Sequence, residues 1–389
     1  MAYSNTVLNQ LQSFLPRYQF EGAVKKYQTD RYIKKFGCWN QLTTMLYAQG
    51  SGKNSLREIT QGLMVQQTKL YHVGLSSVKR STLADANNRR DYRMFEDLFY
   101  SLLDRLKKLT PKHRFRFKNP LHTIDSTTID LCLSMFNWAK FRTTKGAIKL
   151  HYHFDHSGQI PSFLVITDGR QHDLKVVRKN FTFMPDSIYC FDRAYIDFQW
   201  LYSLTSQKSW FVTRAKENLR YKLIGQHPLN EKRGLLFDKE IVLTGFYQSK
   251  GYPGSLRLVG YRDKETNKEY IFLTNNFHLS CYTITQIYKT RWEIEIFFKW
   301  IKQNLKIKSF LGTSKNAVLT QIWVAMIYFL LLAYIKYQTK YKASLFYLHK
   351  IIKEALMMRY HLIDLLNLTW EKLKGIPPGA NPQLSLFGP

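Results

Sequence analysis

The sequence predicts a mixed α/β core that carries a β-rich insertion and follows an all-α N-terminal domain. Three observations carry that expectation. Residues up to about 115 keep helical spacing, with Val78, Leu83, Met94, Phe95, Leu98, Phe99, Leu102 and Leu103 set among charged positions. From about Pro120 the period drops to two, in short apolar runs closed by Asp-, Gly- and Asn-containing turns. Helical stretches then alternate with strands, which describes a mixed sheet with helices on its faces.

In the helical part, Ser55 caps a run over 55–63 that ends near Gly62, and a second run covers 77–109. Joined through Gly74, they suit a helix-turn-helix-like unit in which Lys79, Arg80, Arg89, Arg90 and Arg93 face DNA. A helical bundle with a basic exterior explains the same residues. Strands are expected over 121–125, 147–154, 163–166, 188–191 and 210–213, with helices over 173–179 and 198–206. The alternation of 147–154 puts Lys149, His151 and His153 on a polar face near DNA or solvent. His156 and His172 are nearby, but no cysteine or His-x3-His spacing argues for zinc. Runs over 235–243, 256–261 and 270–274 form the β-rich insertion. The uncharged run 322–335, extended by Val318 and Leu319, falls short of the roughly 20 apolar residues of a bilayer span and reads as a buried core helix. A last helix over 344–366 precedes a Pro- and Gly-rich tail expected to be flexible. The expected division is a helical DNA-binding domain 1–115, core 116–218, insertion 219–281, core 282–343, helical segment 344–375 and tail 376–389.

Composition restricts the partner. The 389 residues suffice for two or three domains, and 58 Lys and Arg against 28 acids give a formal charge of +30. The excess runs along the whole chain among 15% aromatic residues, as suits an extended polyanion such as DNA. Cys38, Cys132, Cys190 and Cys281 form no C-x-x-C pair, which argues against a zinc ribbon or disulfide framework and fits a reducing cytoplasm. The first sixteen residues show no secretion signal, and no membrane partner is expected.

The stretch Y-K-T-R-W-E-I-E-I-F-F-K-W-I-K over 288–302 is the densest chemical signal. On one helix, Tyr288, Arg291, Trp292, Glu295, Lys299 and Lys302 share an arc of roughly 100°. Ile287, Ile294, Phe297, Phe298, Ile301 and Leu305 form a neighbouring apolar arc for docking. A carboxylate can hold a divalent cation, the cations can grip phosphates and the rings can stack on a base. A solvated face of ion pairs is the plainer reading, but the cations outnumber Glu295 on its own face. Asp125 and Asp192 each end an apolar run, and adjacent strands would bring such ends together. Asp130, Asp155 and Asp168 compete for the same role, and a turn acid is the commoner fate of such residues.

Tyr288, Arg291, Glu295 and Lys302 reproduce the spaced Y-R-E-K signature, and the chain resembles the DDE transposases of the insertion-sequence-four family. Asp125-Ser-Thr, Asp192-Arg193 and the β-rich stretch before the Glu295 helix are similar to that family as well, over about 121–305. The segments 36–63 and 80–91 resemble the N-terminal domain of one subgroup. The resemblance implies an RNase H-like core in which Asp125, Asp192 and Glu295 bind two Mg²⁺ or Mn²⁺ ions. It also implies cutting of the element's terminal inverted repeats, through a hairpin intermediate, and joining of 3′ hydroxyls to target DNA. Tyr288, Arg291, Lys302, Lys299 and Arg193 would then contact DNA, and Trp292 could stack on a displaced base. Paired-end work implies a homodimer on double-stranded DNA, in the cytoplasm and nucleoid of a bacterium. Two departures stand out. Ala194-Tyr195 replaces the Glu-Leu of some relatives, and the insertion has no tryptophan, leaving Tyr247, Tyr252 or Tyr261 to stack. Rival readings are an inactive relative that represses transposition and an RNase H-fold nuclease without strand transfer. Finally, Gln383, Leu384, Ser385, Leu386 and Phe387 resemble the peptide by which bacterial proteins bind the replicative sliding clamp. A tail packed on its own domain is the alternative.

Overall fold

The computed structural model describes residues 5–139, 146–229 and 233–367. They divide into two compact units: Met1–Pro111 with Asp130–Ala139 and Lys299–Pro389, and Lys112–Ile129 with Lys140–Phe298. The peptide 383–387 lies outside the described residues.

The first unit begins with α1 (Val7–Ser13), α2 (Arg17–Lys26), α3 (Cys38–Ser51) and α4 (Leu56–Val65). A 3-10 turn (Gln67–Val73), α5 (Arg80–Arg89) and α6 (Arg93–Lys107) follow. The expected cap holds: the Ser55 hydroxyl accepts the Glu58 N–H at 3.1 Å, while the Glu58 carboxylate accepts the Asn54 N–H at 3.0 Å. The single run expected over 77–109 is two helices. Asn316 donates to the carbonyls of Asn87 and Arg90 at 2.8 and 2.6 Å, which satisfies the end of α5 from outside the helix.

The second unit holds the sheet and its flanking helices. Its elements are β1 (Leu121–Leu131), β2 (Gly146–Asp155), β3 (Ile160–Asp168), α7 (Asp173–Asn180), β4 (Ile188–Phe191), α8 (Phe198–Ser206) and β5 (Trp210–Arg214). Then come β6 (Tyr221–Gln226), β7 (Leu235–Leu243), α9 (Phe246–Gly251), β8 (Ser255–Arg262), β9 (Glu269–Thr274), α10 (Cys281–Thr290) and α11 (Trp292–Asn304). The last residues of β1 and of α11 fall in the first unit by the division above.

Among the described residues the strands form one sheet in the order β3-β2-β1-β4-β5-β9-β8-β7-β6. The β1–β4 and β4–β5 pairs are parallel, β2–β3 is antiparallel, and β5 to β6 run antiparallel through β9, β8 and β7. The mixed α/β class is therefore as expected. The strands of the expected insertion extend the core sheet, because Val212, Thr213 and Arg214 of β5 pair directly with β9. Strand β6 lacked an apolar run to announce it, and most of its residues are exposed. Alternation along β4 splits the core. Tyr189 and Phe191 pack with Val177, Trp200 and Leu201 of α7 and α8, whereas Ile188 and Cys190 pack with Ile284 and Ile287 of α10.

The first unit ends in α12 (Lys315–Gln338), α13 (Leu345–Ala355) and α14 (Leu362–Leu365). At 24 residues α12 is long and apolar enough to cross a membrane, yet 94% of its most apolar window is buried in the protein. It packs against α3, α5, α6 and α13, as a buried core helix does. The single last helix expected over 344–366 is broken. Val7 and Leu8 donate backbone N–H groups to the carbonyls of Met358 and Leu356 at 3.0 and 2.8 Å. The Gln10 amide bonds Tyr360 O and Leu362 N at 2.7 and 3.0 Å. Those long-range bonds replace the helical ones that the local sequence favours.

Candidate active site

Asp125 and Asp192 lie side by side. Ile124 pairs with Phe191 in the parallel β1–β4 register, and each aspartate is the next residue. Asp192 ends its strand as expected and caps the short turn Arg193–Tyr195 by accepting the Ala194 N–H at 3.0 Å. Asp125 does not end its strand: β1 continues to Leu131. The neighbour β4 stops after Phe191, and that opens the edge beside Asp125.

Glu295 reaches the same place through Arg291. The Arg291 guanidinium lies 3.3 Å from an Asp125 carboxylate oxygen and 2.7 Å from one of Glu295. Arg291 is buried, its rings of contact being Tyr288 and Trp292 at 5.7 and 5.6 Å. Burial opposes its charge, but Tyr288, Asp125 and Glu295 hold it protonated. Burial pushes the Asp125 carboxyl up to about 6; the Ser126 N–H and Arg291 pull it down, and Glu295 and Asp192 push it up again. Burial likewise raises the Tyr288 phenol to about 12.

The stretch 288–302 is not one helix. Its two segments, α10 and α11, meet at Arg291, whose N–H bonds Tyr288 O at 3.1 Å. The carbonyl that a regular helix would offer belongs to Ile287, and the Thr290 hydroxyl takes it at 2.6 Å. Tyr288 and Arg291 thus flank a tight turn, while Trp292, 58% exposed, starts the next helix. Lys299 is exposed and Lys302 half-buried on the part of α11 assigned to the first unit. Burial lowers the Lys302 ammonium, helped by Lys308 and opposed by Asp130. Arg193 is exposed and pairs with Glu217 at 3.2 Å.

Other expected residues fall into two groups. Lys79, Arg80 and Arg89 are exposed, and Arg89 lines an open cleft of about 670 Å³ with Tyr27, Arg31 and Lys35. Arg93 is held by Asp91. Arg90 turns inward instead of facing solvent, bonding Gln41 at 3.2 Å and the Phe36 carbonyl, so it acts as a brace within the first unit. His151 and His153 are buried too, because both faces of β2 are covered. Of the candidate stacking rings, Tyr252 is buried with its hydroxyl 2.9 Å from Thr205, whereas Tyr247 is exposed.

Two clusters near the carboxylates escaped the sequence reading. Asp173 accepts the Ser126 hydroxyl at 2.8 Å, pairs with Lys149 at 3.1 Å and lies 3.3 Å from the His151 ring. Burial lowers that imidazole to about 4, with Asp173 opposing and Lys149 adding to the effect. His156 bonds both Thr123 and Glu293. Asp173 and Glu293 each sit in the first turn of a helix, a common place for a solvated acid. Only long-range contact reveals them.

The donor chemistry at Asp125, Asp192 and Glu295 is that of hard oxygen ligands with a cation, the Arg291 guanidinium, already bridging two of them. These donors fit a divalent ion chemically. Among the described residues, no three His, Cys, Asp or Glu side chains are grouped closely enough to hold one as they stand.

The site is two aspartates on adjacent parallel strands of a mixed sheet, with a helical glutamate joined to one of them through Arg291. Residues 117–331 match the family model described as "Transposase DDE domain", and the chain belongs to that family as a transposase of the insertion-sequence type. Residues 3–76 match "Domain of unknown function (DUF4372)". The chain is 34% identical over 254 residues to "Putative transposase y4zB" of Sinorhizobium fredii, covering 64% of this chain and 69% of that one. It is 29% identical over 272 residues to "Probable transposase for insertion sequence element IS5377" of Geobacillus stearothermophilus, covering 69% and 70%. A cryo-EM structure of the piggyBac transposase synaptic complex with hairpin DNA is similar at a TM-score of 0.45 and 11% identity, over 96% of this chain and 86% of that one. DDE transposase domains use divalent metal ions, and transposases act on DNA.

Proposed function

We propose that the protein binds the terminal inverted repeats of its own insertion sequence, cuts the element ends and joins the 3′ hydroxyls to target DNA. The Y-R-E-K spacing supports placement in the insertion-sequence-four family. The observation that carries the reading is the register of Asp125 beside Asp192, with Glu295 drawn to the same edge by Arg291. Asp125, Asp192 and Glu295 would hold two Mg²⁺ or Mn²⁺ ions, which supply an activated water or hydroxyl and stabilise charge on the phosphate oxygens. Arg291 and Tyr288 lie beside those carboxylates, where they can orient the scissile phosphate. Arg193, and separately Lys299 and Lys302, are further candidate phosphate contacts, and Trp292 offers an exposed ring to an unpaired base. Lys79, Arg80 and Arg89 would hold the repeat by phosphate contacts that set affinity. We read the working form as a homodimer on two ends, acting in the bacterial cytoplasm and nucleoid. Gln383 to Phe387 is read as a sliding-clamp peptide. Deleting 383–389 should abolish clamp binding, and unchanged affinity would end that part.

Incubation with linear DNA carrying candidate ends and Mg²⁺ separates the readings. Paired-end joining products support the transposase reading. Nicks alone indicate a nuclease without strand transfer, and gel shifts alone an inactive, repressing relative. Asp125→Asn, Asp192→Asn and Glu295→Gln should each remove cleavage while changing end binding by less than about threefold, since phosphate contacts elsewhere carry most of the affinity.

A further inference from the structure

Outside the three carboxylates, one buried polar chain in the second unit has no role in the reading above. His156 follows β2, and its ring is buried. One ring nitrogen, Nε2, lies 2.7 Å from the Thr123 hydroxyl, and the other, Nδ1, lies 2.8 Å from a Glu293 carboxylate oxygen. Its backbone N–H donates to the Leu121 carbonyl at 3.1 Å, so the residue is fixed to β1 by main chain and side chain alike. Phe154 packs edge-on to the imidazole at 5.6 Å and against Phe297 of α11 at 5.4 Å. Burial would raise the Glu293 carboxyl, but the hydrogen bond and charge interaction with His156 hold it below the ordinary range.

The sequence offsets give this chain its meaning. Thr123 is two residues before Asp125, so both side chains leave the same face of β1. Glu293 is two residues before Glu295 on α11. The imidazole therefore ties the strand that bears one acid to the helix that bears another, from the same face of β1 as Asp125 but from the side of α11 turned about 200° away from Glu295.

We propose that His156 is a positioning residue that sets the separation of Glu295 from Asp125 by locking α11 to β1 through Glu293 and Thr123. The inference rests on the reading of Asp125 and Glu295 as metal ligands. Partners that orient ligands in this way are worth about 10- to 100-fold in metal affinity or activity. A free α11 would keep its apolar packing through Ile294 and Phe297, both buried, but lose its fixed height along β1.

The test compares the full-length wild type with His156→Ala, Glu293→Gln, Thr123→Val and Thr123→Ser. Each is assayed for Mn²⁺ affinity by paramagnetic resonance of free Mn²⁺ in the DNA-bound state, end binding without metal, and cleavage rate at saturating DNA. His156→Ala is expected to lower Mn²⁺ affinity and cleavage by about 10-fold or more, with metal-free DNA affinity within about threefold of wild type. Thr123→Val, which keeps shape but removes the hydroxyl, should move both in the same direction. Thr123→Ser and Glu293→Gln, which keep a partner for each ring nitrogen, should recover most of them. Wild-type Mn²⁺ affinity and rate in both His156→Ala and Thr123→Val overturns the proposal. So does a Thr123→Ser as impaired as Thr123→Val, which points to packing alone. If His156→Ala does not fold, Thr123→Val against Thr123→Ser decides the matter. A wild type that shows no Mn²⁺-dependent cleavage sinks the active-site reading itself, which is a separate result.

Discussion

At Asp125 two forces oppose each other, and burial prevails. The carboxyl accepts the Ser126 N–H at 2.8 Å and faces Arg291, yet its pKa is pushed up to about 6. The folded, metal-free protein thus holds a proton there more tightly than the unfolded chain. Stability is therefore lost as pH rises from about 4 to about 6, and the loss is complete above that window. That elevation corresponds to roughly 2–3 kcal/mol. Asp125→Asn should accordingly raise the metal-free melting temperature at pH 8, with the gain vanishing near pH 4; a variant less stable at pH 8 would contradict this. Since a metal must displace the same proton, the Mg²⁺ needed for half-maximal cleavage should rise as pH falls through about 6. Asp192 at its strand end and the four-residue spacing of Arg291 and Glu295 are local features that the sequence displays, whereas Asp125 was expected at a strand end and instead lies inside a strand that runs on to Leu131. Arg90, His151 and Tyr252 were misread because their burial depends on partners far along the chain, such as Gln41, Asp173 and Thr205.

Elements show where local pattern ends and long-range bonding begins. Strand β4, strand β7 and helix α8 have the bounds their apolar runs announce, because the sheet and the core need those residues. The breaks do not follow from periodicity. The signature stretch divides at Arg291, beside the bond from the Thr290 hydroxyl to the Ile287 carbonyl, and α1 captures the backbone after Ala355. The extended half of the sheet has its own anchor. Arg257 of β8 and Asp238 of β7 form a buried two-pronged ion pair at 2.8 and 2.7 Å, and Arg257 also bonds the carbonyls of Asn276 and Leu279. Removing one partner strands a buried charge, so Asp238→Ala should destabilise by about 3–5 kcal/mol in urea unfolding. Asp238→Leu with Arg257→Met should cost clearly less. A single variant within about 1 kcal/mol of wild type would show that the pair is better solvated than its burial indicates.

For the whole molecule, charge is the organising quantity. A formal +30 is far more than any fold requires, and it is spread over the N-terminal helices and the catalytic core alike. Binding to end DNA should therefore weaken steeply with salt, each phosphate contact adding about 0.9 to the log–log slope. Substituting Arg89 and Arg80 together by alanine should lower that slope by about two, and an unchanged slope would remove the N-terminal helices from the interface. The general class was legible because composition, period and motif spacing all agree. The continuation of the core sheet into β9 was not, since strand pairing is fixed by partners and leaves no mark in period. The most direct measurement counts Mn²⁺ ions held by the complex with end DNA, by paramagnetic resonance, in the wild type and in Asp192→Asn. The account predicts two ions at the wild-type site and a loss of tight binding in the variant. Equal occupancy in the two proteins would mean that Asp192 does not belong to a metal centre, and the proposed mechanism would fail with it.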